Sequence, residues 1–284
     1  MIGRVAHRLG ALAGGPAIWR LAAFAGVLAV MAVWEARAPR RLRAATRWRR
    51  WPGNLAVVAI GSGLIAAVFP ISAVLFAAGV RMQGWGLLAL MLGLPAWLRG
   101  LIGFVLLDLT IYLQHVFMHA APVLWRLHRM HHTDLDFDTT TGVRFHPLEL
   151  LLSMAVKFTA IAAIGPSPAV VFLFEVILNA TSLFNHGNVR MPRGLDRLLR
   201  LAIVTPDMHR VHHSILPNET NSNYGFNFSF WDRLFGTYRP QPIASHTGMT
   251  IGIEQFRDPG ELRLDRLLTQ PFRGDLGRYP INRR

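Results

Sequence analysis

A chain of 284 residues that is 52% hydrophobic and only 16% charged, with a mean hydropathy of +0.31, is too apolar for an ordinary soluble domain and reads as membrane-embedded. Its formal charge of +14 comes almost wholly from arginine. Arginines gathered in short runs beside apolar stretches fit anionic headgroups and the positive-inside bias, so nucleic acid is set aside as a partner. There is no cysteine, which excludes disulfides, zinc ribbons and iron–sulfur clusters.

The first apolar window, Pro16 to Trp34, is interrupted by Arg20 and is just long enough to span. A basic flank before it also suits a signal peptide, but Trp34-Glu35 offers no small-residue cleavage site, and an uncleaved anchor is expected. Arg37 to Arg50 then carries seven arginines and no acid. The positive-inside rule puts this loop in the cytoplasm. Thirty uncharged residues follow, Trp51 to Val80, with Pro70 expected to kink or end the span. Between Arg81 and His119 the pattern fits either one crossing with a re-entrant piece or one long bent helix. If the chain leaves through Trp51 to Val80 and returns once, His115 lands on the same side as the arginine run.

From Arg126 to Glu149 the chain is polar, with Asp134, Asp136 and Asp138 alternating. Without the glycine and terminal glutamate of an EF-hand, this is expected to be a solvated loop. Leu150 to Ile164 and Ala169 to Phe184, joined by Gly165-Pro166-Ser167-Pro168, form a helical hairpin with arms of about 22 Å, short of a full bilayer. Lys157 and Glu175 fall at nearly one depth in that hairpin, where a lone charge is costly: either the two pair, or Lys157 snorkels to the headgroups and Glu175 faces a polar cavity near the metals. Beyond His213 no run is long enough to span, and the Pro- and Gly-punctuated tail is expected to dock as a cap under the metal helices.

The histidines organise the whole. His115 and His119 share a helix face, while His128, His131 and His132 repeat the spacing i, i+3, i+4 that returns in His209, His212 and His213. His146 and His186 lie between the clusters, whereas His7 and His246 stand apart and are expected to be dispensable. Neutral imidazoles at helical spacing converge on a metal, and eight of them exceed the coordination of one ion. A dinuclear metal site follows.

HVFMH, HRMHH and HRVHH in that order, with LLDLTIYLQH before and NYGFNFSFWDRLFGTY after, resemble the fatty acid hydroxylase and sterol desaturase superfamily of integral-membrane di-iron proteins. The resemblance runs from about Trp97 to Arg239. It implies an all-α, integral-membrane helical bundle with a cytoplasmic histidine-rich metal-binding cap. The expected division is an anchor region over 1–96, a catalytic region over 97–240 and a tail over 241–284. Eight histidines match the family signature as ligands of two iron ions: His115, His119, His128, His131, His132, His209, His212 and His213. His186 is expected as a ninth. Asp108, on the face of His115, Asp207, just before His209, and His146 are expected to hold metal-bound imidazoles through their second nitrogen. The implied activity is oxygen-dependent hydroxylation or desaturation of a lipid C–H bond. Its electrons would come from an external ferredoxin- or cytochrome-type protein, since nothing in the sequence binds flavin or haem. A multi-pass protein of a bacterial-type inner (plasma) membrane is expected, with its metal site cytoplasmic. The competing class is a non-redox metal protein, either a zinc hydrolase or a metal carrier. HExxH is absent, and polar groups gather at one end instead of running through the spans, which counts against both.

Overall fold

The computed structural model describes residues 2–282, with side chains from Ile18 onward, so His7 lies outside the described side chains. The described residues form helices, with only isolated β-bridges and no strand. Five stretches are long and apolar enough to cross a membrane. They fall in α1 (Ile2–Arg37), α2 (Arg47–Val68) with α3 (Ala73–Met82), α4 (Ala96–Ala120), α6 (Pro147–Ile164) and α7 (Pro168–Asn185). The short α5 (Pro122–His132), α8 (Arg193–Leu199) and α9 (Pro206–His212) belong to a cap at one end of this bundle.

Local chemistry sets the boundaries. Pro70 disfavours helix at Phe69, so α2 stops at Val68, and Ser72 restarts the chain by accepting from the Leu75 N–H. The stretch up to α4 contains a short 3-10 turn, Leu87–Met91, and α4 is then a single 25-residue helix. Of the two alternatives the sequence left open, this is the single crossing, with the 3-10 turn in place of a re-entrant piece, and not one long bent helix. Gly165 closes α6 in the left-handed conformation (φ 72°), and Ser167 with Pro168 caps α7 at once. Each hairpin arm has 18 residues, or about 27 Å at 1.5 Å per residue, closer to a full crossing than the sequence suggested. The extra length comes from Pro147, which starts α6 three residues earlier than its apolar run.

At the end remote from the cap, Ala73, Ala77, Ile161, Ile164, Val171 and Phe174 interlock α3, α6 and α7. In hydrocarbon such close packing, more than apolar burial, holds helices together. The hairpin also carries the pair, the first of its two alternatives: Lys157 Nζ donates to Glu175 Oε1 over 2.9 Å, and Arg20 of α1 joins the same carboxylate. One anion thus ties three helices together.

The cap collects the C-terminal ends of α1, α4 and α7 and the N-terminal ends of α2 and α6, and so stands on the same end as the arginine run. The Asp134–Asp138 segment is buried within it, not solvated as the sequence suggested. Arg50 explains the difference. Its guanidinium forks onto Asp134 (2.7 Å twice) and reaches Asp138 (2.5 Å) and Thr141 (3.0 Å), while Asn54 donates to Thr140 and Arg144 to Asn54 and Thr133. Other members of the arginine run also turn inward: Arg40 to Asp207, Arg41 to the Met249 carbonyl and Arg47 to Glu35. The headgroup role expected for the run therefore falls to fewer of its members. The tail docks as expected. Tyr279 stacks on Trp125, Arg129 donates to the Gln270 carbonyl, and the Ile281 N–H reaches the His119 carbonyl at the foot of α4.

Candidate metal centre

α4 delivers His115 and His119 to the cap, and Ala121, extended before Pro122, turns the chain sharply so that α5 folds back against it. His128 then faces His115 at 5.0 Å between ring centroids. α9 begins with the same device, Pro206 at its first turn and Thr205 accepting from the Met208 N–H. It brings His209, His212 and His213 against α5.

Nine buried histidines separate into two groups, each with ring nitrogens within 4.8 Å of one another. His115, His119, His128, His132 and His212 form one; His131, His186, His209 and His213 form the other. Each HxxHH cluster is split between them. α5 gives its i, i+4 pair to the first group and its i+3 ring to the second, and α9 does the reverse. The groups abut, with His132 and His213 stacked at 4.6 Å. The sequence-matched histidines and His186 are all brought together here.

The donor set is pre-oriented. Nδ1 of His115 donates to the Tyr224 carbonyl (2.8 Å), of His119 to Asn221 Oδ1 (3.1 Å), of His128 to Glu149 Oε1 (2.7 Å) and of His212 to the Ser222 carbonyl (2.7 Å). Those bonds fix the tautomer and leave all four Nε2 lone pairs buried without a partner. In the second group, His186 Nδ1 donates to the Ser182 carbonyl (2.7 Å), and its Nε2 meets Nε2 of His131 at 3.2 Å and of His209 at 3.1 Å. Two ligand nitrogens at metal–nitrogen distances of about 2.1 Å stand about 3.0–3.4 Å apart for square to tetrahedral angles. The spacing and the orphaned lone pairs fit a metal in each group.

Electrostatics agrees. Burial first, then the neighbouring rings, push His131, His132, His209 and His213 well below the ordinary histidine range. Burial also takes His186 and His212 down to about 3. Neutral rings are the ligand form. Close packing positions His186: a Cβ on Gly142 would lie 2.4 Å from the Ser182 carbonyl oxygen and 3.0 Å from His186 Nδ1, so only glycine fits there.

Three expected supporting residues have other partners. Asp108 accepts from Trp231 Nε1 (2.8 Å) and the Phe228 N–H (3.3 Å), not from His115. Seven residues keep it on the right face but place it about 10.5 Å along the axis. Asp207 pairs with Arg40 (3.1 Å) and Arg210, because two residues along a helix do not share a face with His209. His146 caps α6, accepting from the Leu148 N–H, and its Nε2 donates to the Leu268 carbonyl (3.2 Å). His246 lies outside both groups, beside Gln241 and Asp207. The sequence reading missed Glu149 and the 221–224 loop. That loop is oriented by Asp232, whose carboxylate accepts from the Tyr224 (2.7 Å) and Gly225 (2.9 Å) N–H groups.

A cavity of about 200 Å³ reaches this centre from between the spanning helices. His115, His128 and Glu149 lie at its metal end, and Ile65, Met154 and Leu178 are among its apolar walls.

The fatty acid hydroxylase family model matches residues 100–237, from α4 through both HxxHH clusters and the 221–232 loop. The chain is similar to an ornithine lipid hydroxylase of Rhizobium tropici, 33% identical over 159 residues, which is 55% of this chain and 47% of that protein. An alkylglycerol monooxygenase of Danio rerio is 30% identical over 156 residues, 55% of this chain and 34% of its own length. A cholesterol 25-hydroxylase of Rattus norvegicus is 26% identical over 163 residues, 57% and 53% of the two chains. The chain thus spans between about a quarter and a half of the length of the curated relatives it matches. No solved structure matches it.

Proposed function

We propose that this chain, which belongs to the fatty acid hydroxylase superfamily, is a multi-pass membrane oxidoreductase that hydroxylates a lipid C–H bond at two iron ions. The observation that carries the reading is two adjoining groups of buried histidines, five of them oriented through Nδ1, at the inner end of an apolar cavity. His115, His119, His128, His132 and His212 would hold one ion, and His131, His186, His209 and His213 the other. Iron held there would supply the binding and reductive activation of dioxygen. The reaction balances as R–H with O2, two electrons and two protons giving R–OH and water. Hydroxylation is favoured over desaturation because the named relatives are hydroxylases and monooxygenases.

The protein's own part is positioning and exclusion. Carbonyl and carboxylate acceptors hold the rings by Nδ1, and Val143, Phe145, Met118 and Phe226 keep water from the cavity beside His115 and His128. The electrons would come from an external ferredoxin- or cytochrome-type carrier. Arg190, Arg193 and Arg197 are exposed around a cap cavity whose wall includes Asp207, two residues before His209, and suit an acidic carrier. Seven arginines on the metal end favour a cytoplasmic site in an inner (plasma) membrane.

Iron-loaded protein in nanodiscs, given a reduced carrier and candidate lipids, is expected to consume oxygen and place one labelled oxygen atom from O2 in the lipid. No uptake with any reduced carrier, together with one tightly held redox-inert metal, would overturn the reading in favour of a non-redox metal protein.

A further inference from the structure

The cavity wall beside the metal centre holds two hydrogen-bond acceptors with nothing to accept from. Gln114, which directly precedes His115, donates from Nε2 to Ser153 Oγ across α4 and α6 (2.5 Å), and its Oε1 is buried without a partner. Glu149, one helical turn before Ser153 on α6, gives Oε1 to His128, and its Oε2 is likewise buried and unpartnered. Both residues line the cavity. Of the other polar side chains lining the cavity, Lys157 is held by Glu175 (2.9 Å) and Ser182 by the Gly142 carbonyl (2.6 Å), while Asn179 is exposed.

Buried acceptors are rarely left unpaired, and here they face a cavity whose remaining lining is mostly apolar. An acceptor pair selects a donor. A plain alkyl chain, or a group that only accepts, leaves both oxygens unsatisfied, whereas a hydroxyl or amide N–H satisfies them. Position adds a second constraint. Gln114 and Glu149 flank His115 and His128, so a donor held there puts carbons a few bonds away at the metal end of the cavity, not carbons far down an acyl chain.

We infer that the cavity is built for a lipid whose oxidised carbon lies within a few bonds of a hydroxyl or amide N–H, held by Gln114 Oε1 with Glu149 Oε2 as the second acceptor. The inference rests on the proposed lipid hydroxylation but names what that reading leaves open, the substrate class. Gln114 is a positioning and specificity residue in this account.

The test is equilibrium binding, which needs no turnover. Tritiated hexadecane-1,2-diol and its bis-methyl ether, which accepts but cannot donate, are titrated into the full chain in nanodiscs. The diol is expected to bind about tenfold more tightly than the ether. Gln114→Met should cut the ratio severalfold, to what Glu149 alone sustains, while leaving ether affinity unchanged. Ser153→Ala, which frees the amide without removing its oxygen, should lower the preference severalfold and serves if Gln114→Met does not fold. Equal affinities in the wild type, absence of binding by both probes, or a preference undiminished by Gln114→Met would overturn the inference. A diol preference without oxygen uptake would instead contradict the proposed reaction and leave the donor site standing.

Discussion

Removing the Arg50 guanidinium should be among the most damaging single changes outside the metal centre. The side chain is fully buried and holds two carboxylates at once, Asp134 through a bidentate fork and Asp138 through Nη1. With Arg50→Met, Asp138 retains Trp51 Nε1 and Asp134 retains Thr141, but both lose their nearest cation. Breaking a buried pair by removing one partner costs about 3–5 kcal/mol. At roughly 2–4 °C per kcal/mol for a chain of this size, melting should fall by about 6–20 °C. Asp134 supplies a second signature. Despite its burial, Arg50 and then Arg144 hold its carboxyl well below the usual range. Without Arg50 that carboxyl takes up a proton more readily in the folded state, so the deficit against wild type should shrink as pH falls from 7 to 5. Arg50→Met with Asp134→Leu should recover part of the loss, since an apolar pair replaces a stranded charge. The assay is a melt followed by tryptophan fluorescence in one detergent at one scan rate. An Arg50→Met protein that melts within about 2 °C of wild type would refute the reasoning.

Lys157→Met and Glu175→Gln should destabilise the protein non-additively, with a coupling above about 0.5 kcal/mol, because the two groups stand 2.9 Å apart; additive losses in the double-mutant cycle would remove the pair from the account. Arg20 shares Glu175, so Glu175→Gln should be the worse single change. The metal-free protein should lose stability on mild acidification. His186 and His212 are pushed to about 3 in the fold, against about 6.5 in an unfolded chain. Between those values the unfolded chain binds more protons, so stability is complete above about pH 6.5 and falls below it, by up to about 1.4 kcal/mol per pH unit for each ring. Denaturant unfolding at pH 7.5 and 5.5 measures this, and equal stability at both would contradict it.

The spanning helices and the nine histidines were legible because both signals are local. Apolar runs give the spans, and three- and four-residue spacing puts imidazoles on one face. Distant partners were not. Arg50 lies 84 positions from Asp134, so three alternating aspartates looked like a solvated loop when they are the buried half of an ion network. The acceptors that orient His115, His186 and His212 are backbone carbonyls of Tyr224, Ser182 and Ser222, and every residue has a carbonyl, so no side chain announces them. Asp108 shows the opposite error: helix phase placed it correctly around the axis, but phase says nothing of height. It holds Trp231 instead, two turns from the ring it was expected to support.

The central claim is that the split HxxHH clusters build two metal sites in one chain. Iron content per chain, measured on anaerobically reconstituted and desalted protein, tests it most directly. Two iron ions per chain are expected, falling towards one when His186→Ala opens the four-histidine group. A single ion per chain in the wild type, unchanged by His186→Ala, would contradict the account.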